Sequence, residues 1–290
     1  MTDKPLNIAV IGASGVLGRA LLPMLHARGH SVRAISRHPT AAAPGIEGLA
    51  LDLVADDAEP RLAEALRGCT AAIHAATAIP RDFTAPGAWD RNTRIRVEGT
   101  RRLLAACAAA GVQRYVQQSI VMAYPDRGDA WIFEDTALDT APARADVCGP
   151  VIAMEAQVRA VPAATLAWTI VRGGAFVGPG TAQDKQIADV RRREAHIVAG
   201  GRHFVPAVHV DDMARAVLLA IEQDGHGRII NACAEPVRQR DYLEELARRL
   251  GAPPPPSKPD ARPPQSWRCS SAAARRELGW TAERSIWPAG

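Results

Sequence analysis

The chain has 290 residues, 47% of them hydrophobic and 23% charged, enough to bury one large core or one domain with an appendage. Its formal net charge of +4 rests on arginine, with only Lys4, Lys185 and Lys258 beside it, and acids are interleaved throughout, so no nucleic-acid surface is read from it. The basic run Arg191 to Arg193 is flanked by Asp189 and Glu194 and reads as a solvated helix face. Cys69, Cys107, Cys148, Cys233 and Cys269 are odd in number, far apart and without a CxxC spacing, which argues against a disulfide framework and for a reducing compartment. No apolar run reaches membrane-spanning length, and the first strand begins after six residues, leaving no room for a signal peptide. A cytoplasmic protein with no membrane partner is expected. The histidines offer no ligand set, because Gly29 interrupts the helix between His26 and His30, and no metal is expected.

Residues 7 to 22, NIAVIGASGVLGRALL, read as a strand, a glycine-rich turn and a helix starting at Val16. Gly12 lets the chain turn sharply off the strand, Gly15 brings bare backbone to an anion, and Gly18 lets the helix pack on the sheet. The first helical N–H groups have no partner within the helix and, with the helix dipole, favour a pyrophosphate. Gly12, Ser14, Gly15, Val16, Leu17 and Gly18 are therefore candidate cofactor-binding residues. Their GxxGxxG spacing is one residue wider at the start than the usual GxGxxG.

Ser31 to Ser36 reads as a second strand, ending at Arg37. An acid at this strand end holds a ribose 2′-hydroxyl, whereas an arginine suits a 2′-phosphate. Ser36 and Arg37 stand there, with no acid, so NADP(H) is favoured over NAD. Gly48 to Leu53 gives a third strand ending in Asp52, Asp56 to Leu66 a helix, and Ala71 to Ala76 a short buried strand. The small residues Ala75, Ala76 and Thr77 let a dinucleotide lie across the sheet edge. His74, inside that strand, is read as a structural hydrogen-bonder. A helix from Trp89 to Ala110, closed by Gly111, precedes a strand from Arg114 to Gln118. Strands and helices thus alternate along the first 120 residues. The expected fold is α/β, a Rossmann-type doubly wound parallel sheet covered by helices on both faces. Its ligand crevice lies beyond the carboxyl ends of the strands, where Gly12, Arg37, Asp52, Ala75 and Ser119 converge.

The segments IGASGVLG ending at Gly18, DL at Asp52 and Leu53, HAA at His74 and RVEGTRRLLAACAAAGVQRYV from Arg96 carry a resemblance. So do TIVRGGAFVGPG from Thr169, VHVDDMARAV from Val208, INA at Ile230 and ELGW near the C-terminus. The chain resembles the NAD-dependent epimerase/dehydratase family, the extended branch of the short-chain dehydrogenases/reductases, over nearly its whole length. The resemblance implies a nucleotide-binding domain over 1–172 and a small substrate-binding portion over 173–290, interleaved with the last strands and helices of the same fold. It also implies that Asp52, Leu53, Gly174 and Phe176 touch the cofactor, the last two from a loop passing the nicotinamide.

The family's chemistry uses a Tyr four residues before a Lys, whose ammonium lowers the phenol pKa. Aligned on Glu155, those positions hold Val147 and Val151, and none of Tyr115, Tyr124 and Tyr242 has a lysine four residues on. Counting back from Tyr124 puts Ile120 in the family's serine slot, with Ser119 beside it. Tyr124, Ser119 and Gln118 are the substitute proton donors best placed by sequence order, and Tyr124 and Ser119 are the catalytic candidates. Glu155 is read as a structural family position, and Cys148 as a thiol with no basic neighbour in sequence. Gly173–Gly174 stands where the family commonly has a proline after the arginine.

In the C-terminal third, helices are expected over Thr181 to Glu194, Arg240 to Leu250 and Ser271 to Leu278, with Asp211 or Asp212 capping a further helix rather than binding metal. Pro253 to Pro256 reads as a stiff connector, and Trp267 and Trp280 as anchors for the tail. AIPRDFTAPGAW and GGAFVGPG carry few charges, so a small, partly apolar organic substrate is expected, Arg81 and Arg202 being the anchors a sugar nucleotide would use. The helices around Arg94 to Ala110 and Val147 to Arg159 could pair between subunits, which allows a homodimer. The expected activity is that of an NADP(H)-dependent oxidoreductase or isomerase. The alternatives are a redox sensor that binds NADP(H) without turnover, and a cofactor-independent cyclase or isomerase.

Overall fold

The computed structural model describes residues 4–39, 43–80, 82–83, 85–223 and 227–289. In chain order these form β1 (Asn7–Ile11), α1 (Val16–Ala27), β2 (Ser31–Ser36), β3 (Ile46–Ala50), α2 (Ala58–Ala65), β4 (Ala71–His74), α3 (Asp90–Arg94), α4 (Thr100–Ala110) and β5 (Arg114–Ile120). There follow β6 (Trp131–Ile132), α5 (Ala145–Ala160), β7 (Ala167–Gly173), β8 (Ala175–Val177), α6 (Ala182–Arg191), β9 (Ile197–Val198), β10 (Phe204–Val205), β11 (Ala207–His209) and α7 (Val210–Glu222). The chain ends with β12 (Arg228–Ala232), β13 (Val237–Arg238), α8 (Gln239–Arg249), β14 (Ser257–Lys258), β15 (Arg268–Cys269) and α9 (Ala272–Leu278). Two compact units result: Met1–Ser119 with Leu138–Val171 and Ala214–Ile229, and Ile120–Ala137 with Arg172–Met213 and Ile230–Gly290.

A seven-stranded sheet in the order β12-β7-β5-β4-β1-β2-β3 organises the first unit. The pairs β1–β2, β1–β4, β2–β3 and β4–β5 are parallel, as the alternation of strands and helices requires. β1 beyond Asn7 and all of β4 are buried, because helices cover both faces of a parallel sheet. α1 turns Leu17, Leu21 and Leu25, one helical face, into the core. Chain order reverses at β1, with β2 on one side and β4 on the other, which makes the switch point where such sheets bind ligands.

Two expected elements differ in the structure. The single helix expected from Trp89 to Ala110 is α3 and α4 joined by a π-helical turn, Ile95–Gly99. The widened turn carries Arg96 inward, 3% exposed, and sets Gly99 against Leu53, whose Cδ2 lies 2.5 Å from where a Gly99 Cβ would stand. β3 ends at Ala50, short of the expected Leu53, because it is a half-exposed edge strand and the chain beyond it turns Leu51 and Leu53 into the core.

The second unit is built from short strands with α6, α8 and α9. Its core gathers Val177, Val190, Ile197, Tyr242, Leu246 and Ile286. Thr181 caps α6, its hydroxyl accepting from Gln183 N–H at 3.2 Å. The tail docks as expected: the Trp280 indole donates to Asp212 O at 2.8 Å and that of Trp267 to Tyr124 O at 2.9 Å. Asp212 departs from its expected capping role. It lies inside the first turn of α7, and its Oδ2 accepts from the N–H groups of Glu283 and Arg284 at 3.1 and 2.8 Å, tying the tail down. Among the described residues no group of three or more potential ligands could hold a metal, and no helix is long and apolar enough to cross a membrane.

Candidate functional site

The turn after β1 holds a backbone cradle in the first unit. Gly12 has φ +93°, and a Cβ there would stand 2.5 Å from the Ala76 nitrogen, so only glycine lets β1 end this close to β4. At Gly18 a Cβ would stand 2.4 Å from Ala13 O, which fixes how tightly α1 lies on the loop. Gly15, the exposed N-cap of α1, has only Gly12 O within 4 Å of its Cβ position and opens outward. The first ladder bond of α1 runs from Arg19 N–H to Gly15 O at 2.9 Å, so Val16, Leu17 and Gly18 precede the ladder with their N–H groups at the helix start. No acid lies in that first turn, and Ser14 stands half-buried beside it. Bare backbone, free amides and the helix dipole meet the needs of a pyrophosphate.

The register brings the other strand ends to the same edge. Gly12 N–H donates to Ile35 O at 2.9 Å, Ala75 N–H to Ile11 O at 2.8 Å and Leu51 N–H to Ser36 O at 2.9 Å. Ser36 is buried, its hydroxyl turned onto His38 O at 2.5 Å, while Arg37 is exposed. Burial pushes the Asp52 carboxyl up, but Arg91 at 2.8 Å, Val54 N–H at 3.2 Å and the nearby Arg37 charge outweigh it and hold it below the usual carboxylate range. Arg37 and Asp52 thus face one electrostatic neighbourhood, and Arg91 is a partner that sequence reasoning missed. Leu53 is buried, and Ala76 and Thr77 stay half-exposed at the rim.

Beneath that rim lies a buried polar cluster. His74 Nδ1 is 3.0 Å from Gln117 Oε1 and 3.2 Å from Thr100 Oγ1, and the Tyr115 hydroxyl donates to Gln117 Oε1 at 2.7 Å. Burial pushes the imidazole down to about 4, so it is neutral at physiological pH, and its Nε2 has no hydrogen-bond partner among the described residues. Ser119 and Glu155, 0% and 2% exposed, are joined by a 2.6 Å bond from the serine hydroxyl to Oε1. Arg96 donates to Asn92 Oδ1 at 2.9 Å, and burial draws it down to about 10 against the favourable charge of Glu155. The sequence marks Arg96 only by its place in a helical run, because the π-turn that aims it inward leaves no mark in the pattern. In α5, Val151 is fully buried and Val147 half-buried. Burial raises the Cys148 thiol, opposed by Arg144, one helical turn before it.

In the second unit Tyr124 is 0% exposed, its hydroxyl donating to Asn231 Oδ1 at 2.9 Å and accepting from Arg172 Nη1 at 2.6 Å. Burial raises the phenol, and the Arg172 charge only partly offsets it. Asn231 is held in turn by Glu134, whose Oε1 accepts its N–H at 2.9 Å. Gly174 is required by close approach: a Cβ there would stand 2.1 Å from Pro206 O, and the paired β8 and β11 leave no room for it. Phe176 is half-buried in β8, and Ile120 half-buried at the end of β5. Arg202 is exposed, and Arg81 lies outside the described residues.

The model of the NAD dependent epimerase/dehydratase family matches residues 8–233. A Streptomyces protein named 3-diazoavenalumate denitrifying reductase is 32% identical across 97% of this chain and 98% of its own length. The 2-alkyl-3-oxoalkanoate reductase of Stenotrophomonas maltophilia (strain K279a) is 29% identical across 86% of this chain and 77% of its own. Among solved structures, human epimerase family protein SDR39U1 (isoform2) with NADPH is similar in fold, with a TM-score of 0.80 at 20% identity, covering 97% of this chain and 95% of that one.

Proposed function

The chain belongs to the NAD dependent epimerase/dehydratase family and is an NAD(P)-dependent oxidoreductase, and from that premise we propose that it is an NADP(H)-dependent reductase of a small, partly apolar organic molecule. The cradle at Gly12, Ser14, Gly15, Val16, Leu17 and Gly18 would hold the pyrophosphate, and Ser36 and Arg37 the 2′-phosphate. Asp52 and Leu53 would flank the adenine side, Ala75, Ala76 and Thr77 the passage across the sheet, and Gly174 and Phe176 the nicotinamide. The bound cofactor supplies a hydride. A homodimer is part of the same reading. Replacing Arg37 by Asp should weaken NADPH binding at least about tenfold, ~1.4 kcal/mol, and leave NADH nearly unchanged, since only the 2′-phosphate is lost as a partner. Equal losses for both nucleotides, read by nicotinamide fluorescence, would remove Arg37 from the site.

The observation that carries the substrate side is the aliphatic character of the relay positions, Val147 and Val151 together with Ile120. A ketone that accepts a hydride becomes an alkoxide and needs a proton from its surroundings. An arenediazonium cation needs no net proton: the hydride adds to the terminal nitrogen to give an aryldiazene, whose N–H hydrogen passes to the ring carbon as the C–N bond breaks and dinitrogen leaves. The diazo compound and the 3-oxoalkanoate named for the two relatives fall on opposite sides of this divide. The missing relay favours an acceptor of the first kind. For a carbonyl acceptor, Ser119 backed by Glu155 and Tyr124 backed by Arg172 are the hydroxyls proposed to give the proton. Purified protein should oxidise NADPH with a carboxylated arenediazonium, and deuteride at C4 of the cofactor should appear in the arene. Turnover of 3-oxoalkanoates alone would transfer the assignment to the carbonyl reading.

A further inference from the structure

Cys233 and Cys269 lie in the second unit on two segments held side by side. Ser271 clasps the first of them: its hydroxyl accepts from Cys233 N–H and donates to Cys233 O, both at 2.9 Å. Asn231 Nδ2 reaches Ser270 O at 3.3 Å, and β15 in turn pairs with β6. Both cysteines are free and buried, 5% and 3% exposed, yet both line a cavity of about 480 Å³ walled by Trp131, Trp280 and Trp287. Cys233 has a second neighbour of consequence. Its Sγ lies 3.2 Å from where a Cβ on Gly174 would stand, directly against the backbone that leads into β8. Gly174 N–H donates to Ala232 O at 3.1 Å, so this backbone is bonded to the last residue of β12, one residue before the thiol.

We propose that Cys233 and Cys269 form a reversible dithiol–disulfide pair whose oxidation shifts Cys233 away from Gly174 and weakens cofactor binding. The oxidant is a small disulfide that enters through the cavity. Cys269, as thiolate, attacks one sulfur of the oxidant, forms a mixed disulfide and expels one thiol. Cys233 then loses its proton, attacks the Cys269 sulfur and expels the second thiol. Two protein thiols have lost two electrons and two protons, and the oxidant has become two thiols. Its hydrogen bond to Cys269 and its burial hold Cys233 in the thiol form, which suits the sulfur that reacts second. Closing the pair ties the C-terminal tail to the end of β12 and drags the strand that Gly174 is bonded to.

The pair rests on the reading that places Gly174 beside the nicotinamide, and the test separates the two. Protein is incubated with oxidised glutathione, its free thiols are alkylated, and the digest is mapped while NADPH affinity is read by fluorescence. The expected result is a peptide pair joined through Cys233 and Cys269, with NADPH affinity lowered about tenfold and restored by dithiothreitol. Cys269→Ser should bind NADPH as the reduced wild type does and be insensitive to the oxidant. Two alkylated thiols after oxidation, a disulfide with unchanged affinity, or an equal loss in Cys269→Ser would each overturn the proposal. Failure of the reduced protein to bind NADPH would instead count against the cofactor reading.

Discussion

Gly12→Ala should lose measurable NADPH binding and about 3 kcal/mol of stability, combining backbone strain at positive φ with overpacking against backbone that cannot yield. The new methyl would stand 2.5 Å from the Ala76 nitrogen and 2.7 Å from the Ala75 carbonyl carbon, both main-chain atoms at the end of β4. Relief requires β1 to part from β4, and that parting opens the switch point itself. Gly15→Ala separates binding from folding. Only Gly12 O, at 3.1 Å, lies near its Cβ position, so the variant should melt close to the wild type. Its methyl would nevertheless occupy the space a pyrophosphate needs, and NADPH affinity should fall about tenfold, ~1.4 kcal/mol. Thermal melts and fluorescence titrations of both variants decide the matter. A Gly12→Ala protein with unchanged melting temperature and affinity would remove the cradle from the site, as would a Gly15→Ala protein that binds NADPH normally.

Arg96→Leu should destabilise the protein by about 3–5 kcal/mol, because it strips a buried carboxylate of its compensating charge. Glu155 is 2% exposed, and the Ser119 hydroxyl that donates to its Oε1 at 2.6 Å carries no charge to replace the guanidinium. Asn92 Oδ1 would lose its bond from Arg96 as well, in a side chain whose Nδ2 already has no hydrogen-bond partner among the described residues. Glu155→Gln removes the charge while keeping an oxygen for Ser119, so adding it to Arg96→Leu should recover part of the loss. The coupling energy of that double-mutant cycle should reach at least about 1 kcal/mol. Strictly additive losses in chemical denaturation would show that the two charges do not interact. Under the carbonyl reading the same pair sets the state of Ser119, so a change in the pH profile of turnover should accompany Glu155→Gln and be absent from Gly15→Ala.

Much of the first unit was legible because parallel α/β architecture writes itself locally. IAVI and AAIH are buried on both faces, SVRAIS is buried except at Ser31 and Arg33, and the glycine turn has a distinct reason for each of its three glycines. The carboxyl-end convergence of Gly12, Arg37, Asp52, Ala75 and Ser119 follows from strand direction alone once the strands are parallel. The family resemblance likewise rests on contiguous segments. The second unit was harder, since β9, β10, β13, β14 and β15 are two residues each and owe their existence to partners distant in sequence.

The sequence by itself determined the nucleotide-binding architecture, the switch point and the loss of the Tyr/Lys relay, all of which depend on residue type at fixed local spacing. Only the tertiary structure decided what the buried polar groups do. Arg96 points inward because a π-turn adds one residue to a helical circuit, and Asp212 binds the tail because residues 283 and 284 return to it. Tyr124 is clasped by Arg172 and Asn231, 48 and 107 residues away, and Cys233 meets the Cys269 segment across a long excursion of chain. Pairings of that kind are fixed by the packing of whole elements, and hydrophobic periodicity carries no record of them.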